Sequence, residues 1–248
     1  MAKNEMAMKI SVVVPAFNEE KLLGESLRSI RAAMTAFAAL SWNSELIVCD
    51  NNSSDRTAES ARAAGAMVVF EPVNQISRAR NCGAAAATGD WLIFVDADSC
   101  PSRELFAAVA AQIQSGKCVG GGATVILDQP HGWFARATLL WNCVSRLRRW
   151  AAGSFIFCEA AVFRQMGGFS QELFVSEEIE FSQRLKKLAR ETKRNVVILH
   201  RHPLKTSARK LFLYRKRDYA WFLWRTILGR GQTLKNRAAC TPWYDGRR

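Results

Sequence analysis

The 248-residue chain is 49% hydrophobic and 23% charged, long enough to bury a sizeable core as one α/β domain. Its seven cysteines (49, 82, 100, 118, 143, 158 and 240) are odd in number, scattered and free of any Cys-x-x-Cys pair, a pattern that fits reduced thiols in a cytosolic protein better than a disulfide scaffold or a zinc site. The formal charge of +13 and pI near 9.8 call for an anionic partner, whether nucleotide, nucleic acid or acidic membrane surface.

The segment Met1 to Ile10 carries Lys3, Asn4, Glu5 and Lys9 and lacks the apolar core of a signal peptide. No run reaches the roughly 18 to 20 apolar residues of a membrane span, so a cytoplasmic protein, at most peripheral at the inner face of a membrane, is expected. Ile10 to Val14 is a β-branched run stopped by Pro15 and predicts a buried strand. Leu23, Leu27, Ile30, Met34 and Phe37 then mark one apolar helical stripe. Strands are predicted at 45–49, 66–70 and 91–95, with helices near 55–64 and 76–88 between them. This order predicts a mostly parallel central sheet flanked by helices. Beyond residue 100 we expect a helix near 102–114, a Gly-rich strand at 118–127, a Trp- and Arg-bearing segment from Gly132 to Trp150, a helix at 177–188 and a strand at 195–199. Gly120-Gly121-Gly122 lacks the spacing of a phosphate loop and is expected to permit close approach of a substrate or another strand.

In parallel sheets ligands bind beyond the carboxyl ends of the strands, and those positions are polar here. They are Pro15-Ala16-Phe17-Asn18-Glu19, Asp50-Asn51-Asn52-Ser53-Ser54-Asp55 and Asp96-Ala97-Asp98. Carboxylates as close as Asp96 and Asp98 repel each other, and a hard cation such as Mn²⁺ or Mg²⁺ shared with a diphosphate removes that repulsion. A pair of loop aspartates capping the next helix is the plainer alternative. Asp55 fits a helix cap as well as a ligand contact, Phe17 fits core packing as well as stacking on a base, and Arg78 fits a solvated helix face.

Four motifs occur in order: Val14 to Glu19, Val48 to Thr57, Ala79-Arg80-Asn81-Cys82-Gly83, and Thr88 to Asp98. Together they resemble the family 2 glycosyltransferases over roughly residues 10 to 200. The resemblance implies a GT-A-type α/β fold and sugar transfer from a UDP- or GDP-sugar to a carbohydrate or lipid-linked hydroxyl. It maps nucleotide binding to Pro15, Ala16, Phe17, Glu19, Asp50, Arg80 and Asp96, and the metal to Asp98 with Asp96. It also implies inversion, with the base drawn from Ser176-Glu177-Glu178-Ile179-Glu180-Phe181-Ser182-Gln183-Arg184-Leu185. In the family's acidic motif the second acid is an aspartate; the matching position here is Glu178, with Glu177 as the neighbouring candidate. Acids at a helix start are also favourable to the helix dipole.

His200 and His202 follow the predicted strand at 195–199, where one of them completes the metal shell in some GT-A enzymes; exposed loop histidines are the alternative. Lys205 and Arg209 fold over the diphosphate or begin a solvated basic helix. A domain at 1–202, nucleotide-binding over about 10–100 and acceptor-binding over 101–202, is expected to precede a basic, aromatic helical extension at 203–248. That extension holds 12 Lys or Arg against 2 Asp, with Leu211 to Tyr214 and Tyr219 to Trp224 suited to the interface of an anionic membrane or to packing on the core. No nucleic-acid partner is expected, because the basic residues crowd into this tail and not into a recognition motif. The competing functions are a sugar-1-phosphate nucleotidyltransferase, which wants a glycine and a cation directly after the first strand, and a non-enzymatic basic binding module.

Overall fold

The computed structural model describes residues 7–129, 132–209, 224 and 232–240. Strands β1 (Lys9–Ala16), β2 (Asn43–Asp50), β3 (Met67–Phe70) and β4 (Trp91–Val95) are parallel and lie in the order β3-β2-β1-β4. The strand after β4 in the sheet is β7 (Phe155–Glu159), antiparallel to β4 and to β6 (Cys118–Leu127). Next to β6 lies β8 (Asn195–Thr206), parallel to it, and the short β5 (Ser99–Cys100) closes the edge.

β-Branched residues fill β1 because both faces of the sheet are covered. Ile10, Val12 and Val14 point into a core with α1 (Leu23–Ala38), α2 (Thr57–Ala63) and α4 (Arg103–Gln114), whereas Val13 points into a second core with α3 (Ile76–Ala86), α6 (Ala160–Gln165) and α7 (Glu177–Glu191). The alternation fixes register, since a slip by one residue would exchange the two faces. Leu23, Leu27, Ile30 and Phe37 of α1 are fully buried against the first core, as their spacing predicts.

The triple glycine permits close approach of strands. A Cβ on Gly121 would stand 1.8 Å from the Val197 carbonyl oxygen of β8, so no larger residue fits there. The segment 132–150 is the long helix α5 (Gly132–Arg148). The strand β7 escaped the sequence reading, although Phe155-Ile156-Phe157-Cys158 is a wholly buried apolar run.

The last strand also corrects the sequence reading. It does not stop at Leu199 but continues to Thr206, so the expected boundary between 202 and 203 falls inside β8. Leu199 pairs with Ala123 and Leu204 with Val125, leaving residues 200–203 bulged opposite a single residue of β6. The bulge carries the polar residues that interrupt the apolar pattern. Of the expected C-terminal extension, 203–206 belong to β8, and the short 3₁₀ turns Gln232–Lys235 and Arg237–Cys240 lie beside the segment leading into α7: Phe174 N–H donates to the Leu234 carbonyl at 2.8 Å and Lys235 pairs with Glu172 at 2.7 Å. The aromatic runs at 211–214 and 219–223 lie outside the described residues.

Candidate active site

Because β1, β2 and β4 are parallel, their three polar ends share one rim of the sheet. The first two loops are tied into one wall. Asn18 takes a left-handed backbone (φ 52°), tolerable for Asn, and its Oδ1 accepts from the Ser54 N–H at 2.8 Å while its own N–H donates to Ser53 Oγ at 3.0 Å. Asp50 is buried and its Oδ1 accepts from the Ser53 N–H at 3.1 Å, which shapes its own loop. Asp55 acts as a structural tie: Oδ1 accepts from the Thr57 N–H at 2.9 Å at the start of α2, and Oδ2 from the Glu20 N–H at 3.1 Å. Pro15 and Ala16 are buried at the end of β1, and Phe17 beyond them is partly exposed. Arg78 is paired with Glu71 at 3.0 Å, so it is more than a solvated helix residue.

The chain after β8 returns to this rim. Ser207 N–H donates to the Asp98 carbonyl at 3.1 Å, and Arg209 Nη2 meets the buried Glu19 carboxylate at 2.6 Å. Two residues expected to bind nucleotide, Glu19 and Arg209, are thus brought together, while Lys205 lies exposed in β8 opposite Cys100. The Nε of Arg209 is buried without a hydrogen-bond acceptor.

Arg80 is the hub between this rim and α7. Its side chain is 1% exposed and is among the largest fully buried side chains of the protein. Nη1 bonds Glu177 at 2.5 Å, Nη2 bonds Asp96 at 3.2 Å and the Gly153 carbonyl at 2.7 Å, and the guanidinium lies 5.2 Å from the Phe169 ring centre. Burial opposes its charge, but Asp96, Glu177 and Glu178 outweigh that and hold its pKa above the ordinary value. The sequence marked Arg80 as a nucleotide contact; its burial and its partners Gly153 and Phe169 were missed. An Ala-Arg-Asn on an amphipathic helix carries no sign of which face is inward, although the small residues Ala79, Gly83 and Ala84 around it form the buried side.

Asn81, next in the chain, exchanges two hydrogen bonds of 2.9 Å with the Phe169 backbone, and Arg184 of α7 donates to the Met166 and Gly168 carbonyls at 2.8 and 2.7 Å. These ties fix the start of α7, where Ser176 is left-handed (φ 67°). Glu177 is buried and committed to Arg80. Glu178 faces the same cluster, and burial, then the Glu177 charge, push its carboxyl up to about 8, against the opposing effects of its backbone N–H and Arg80. The adjacent glutamates therefore play different parts, one committed to the Arg80 ion pair and the other a carboxyl that its surroundings poise near neutrality.

Asp96 and Asp98 stand partly exposed at the end of β4, and the Asp96 N–H donates to the Ser154 carbonyl at 3.2 Å. Their oxygen-only donor set fits a hard divalent cation that takes its remaining ligands from a diphosphate and water. His200 and His202 do not join them: both are exposed in the β8 bulge, and among the described residues no three His, Cys, Asp or Glu side chains gather into a metal-holding cluster.

Replacing Arg80 by Met leaves the buried Glu177 carboxylate without its cation, and a loss of about 3–5 kcal/mol in unfolding free energy is expected. Urea unfolding measures it; an unchanged midpoint would mean that Glu177 takes up water or another donor.

Residues 11–169 match the family described as Glycosyl transferase family 2. The chain is 39% identical over 103 residues (39% of this chain, 26% of the other) to the 4,4'-diaponeurosporenoate glycosyltransferase of Staphylococcus haemolyticus. It is 31% identical over 150 residues (57% of this chain, 44% of the other) to the undecaprenyl-phosphate 4-deoxy-4-formamido-L-arabinose transferase of Enterobacter sp.. The chain thus spans less than half the length of either relative. The fold resembles that of the mannosyltransferase PcManGT from Pyrobaculum calidifontis in complex with GDP-Man and Mn²⁺, with a TM-score of 0.65 at 19% identity, over 93% of this chain and 64% of that one.

Proposed function

The chain belongs to glycosyl transferase family 2, and from that premise we propose that it moves a sugar from a nucleoside-diphosphate sugar to a hydroxyl acceptor with inversion, Glu178 serving as general base. The observation that carries this reading is the division of labour around Arg80. Glu177 is consumed in a buried ion pair and Glu180 pairs with Arg184, so Glu178 is the acid of that helix start left to exchange a proton. In the step itself the acceptor oxygen attacks the anomeric carbon and gives its proton to Glu178. The bond from that carbon to the diphosphate oxygen breaks, and the nucleoside diphosphate leaves with the electron pair. A divalent cation held by Asp98 and Asp96 would supply charge neutralisation at the departing diphosphate. Arg80 holds Asp96 in place, and Lys205 and Arg209, the latter anchored on Glu19, are proposed to reach the diphosphate.

The wall formed by Phe17, Glu19 and Asp50 is proposed to hold the base and ribose, and residues 101–202 the acceptor. One relative named above carries undecaprenyl phosphate in its name, which supports a lipid-linked acceptor here. A thermal-shift screen of nucleotides and nucleotide sugars, with and without Mn²⁺, tests the donor class. Stabilisation by a nucleoside diphosphate that grows with Mn²⁺ is expected, and indifference to every nucleotide would overturn the proposal.

Asp50→Ala is expected to raise KM for the donor with a smaller loss of kcat, because its contact is made in ground and transition states alike. Steady-state kinetics against donor concentration decide this, and an unchanged KM removes Asp50 from the nucleotide site.

A further inference from the structure

The helix α5 presents an apolar face outward. It packs on β6 through polar side chains as much as apolar ones: Asn142 bonds the Val125 N–H and carbonyl at 3.0 and 2.8 Å, and Ser145 is the helix's one fully buried residue. On the other side, Trp133, Ala137, Leu140, Val144 and Leu147 follow one another at spacings of four and three, a single helical stripe. Leu140 and Leu147 are 67% and 82% exposed, and Leu139 beside them is 69% exposed. Such a run of large apolar side chains on a solvent-facing helix marks an interaction surface.

Charge selects the occupant. Arg136, Arg146 and Arg148 border the stripe, Arg149 follows, and no Asp or Glu occurs from residue 129 to 158. A second copy of this helix would set arginines against arginines. An anionic bilayer satisfies both halves of the surface, taking the leucines at the acyl boundary and the guanidinium groups at its phosphates.

We propose that α5 docks this protein on the surface of an anionic lipid bilayer. The chain passes from Arg148, the end of α5, to Gly153, whose carbonyl holds Arg80, within five residues. Docking through α5 therefore sets the Arg80 cluster beside the headgroups. The inference stands on the exposed face and its charge and not on sugar transfer, so binding of nucleotide and binding of vesicles fail separately.

The test is flotation of the full chain with vesicles of phosphatidylcholine containing about 30% phosphatidylglycerol, against phosphatidylcholine alone. The double variant Leu140→Ser/Leu147→Ser changes two solvent-exposed positions, so its thermal midpoint should match the parent. Its partition should fall about tenfold or more, and Arg146→Gln/Arg148→Gln should lose its preference for the anionic vesicles. A polarity-sensitive dye on Cys143, which lies in α5 and is the one exposed cysteine among the described residues, should shift to the blue on anionic vesicles only. Flotation of the leucine variant equal to the parent, an unshifted dye, or no flotation of the parent overturns the proposal. So does a change of oligomeric state in the leucine variant with no change in flotation, which would assign the face to a second copy.

Discussion

Glu178→Gln is expected to lower kcat by about 10² to 10⁴ while leaving nucleoside diphosphate binding intact, the signature of a lost general base. Glu177→Gln should act differently, because Glu177 is the buried partner of Arg80: its main effect is on stability and on the placement of Asp96. Single-turnover rates for the two variants, alongside their thermal midpoints, separate the roles, and a reversal of severity in kcat would move the base to Glu177. The pH dependence has a definite sign. The folded protein keeps a proton on Glu178 that the unfolded chain releases near 4.5, so this group makes stability fall as pH rises from about 4.5 through about 8. Glu178→Gln removes that decline and should gain stability relative to the parent across this window. The free enzyme's kcat/KM should rise with pH over the same range as the base becomes charged.

Asp98→Ala is expected to abolish transfer and to remove the effect of Mn²⁺ on nucleoside diphosphate binding. The physical reason lies with Asp96, whose carboxylate already shares an oxygen with Arg80 and cannot anchor a divalent ion alone. Titration calorimetry with a nucleoside diphosphate, with and without Mn²⁺, reads this directly. Near-normal turnover or a retained Mn²⁺ effect in the variant would mean that the cation sits elsewhere.

The parallel half of the fold was legible because β1, β2 and β4 carry short apolar runs that are buried, each ending in a polar loop. The strand β7 was not, since Phe155 to Cys158 is a short continuous apolar run with no alternation to tell strand from buried helix. The end of β8 was misread for a different reason: His200, Arg201 and His202 interrupt the apolar pattern, yet pairing with β6 and β5 resumes at Leu204 and Lys205 beyond the bulge. That one irregularity leaves both histidines exposed in the bulge. Within the site, the order of the strand-end motifs could be read from local sequence. The Arg80 hub could not, because its partners Glu177, Gly153 and Phe169 lie 73 to 97 residues away and meet it only when α3 and α7 close over the sheet.

The central claim is that Asp98 and Glu178 belong to one site that cleaves a nucleotide sugar. Release of nucleoside diphosphate from nucleotide sugars, with water as the slow acceptor, tests it in the parent, Asp98→Ala and Glu178→Gln proteins at equal Mn²⁺. The account predicts release by the parent, loss in Asp98→Ala together with loss of Mn²⁺-dependent binding, and loss in Glu178→Gln with binding retained. Release that continues unchanged in both variants would contradict it.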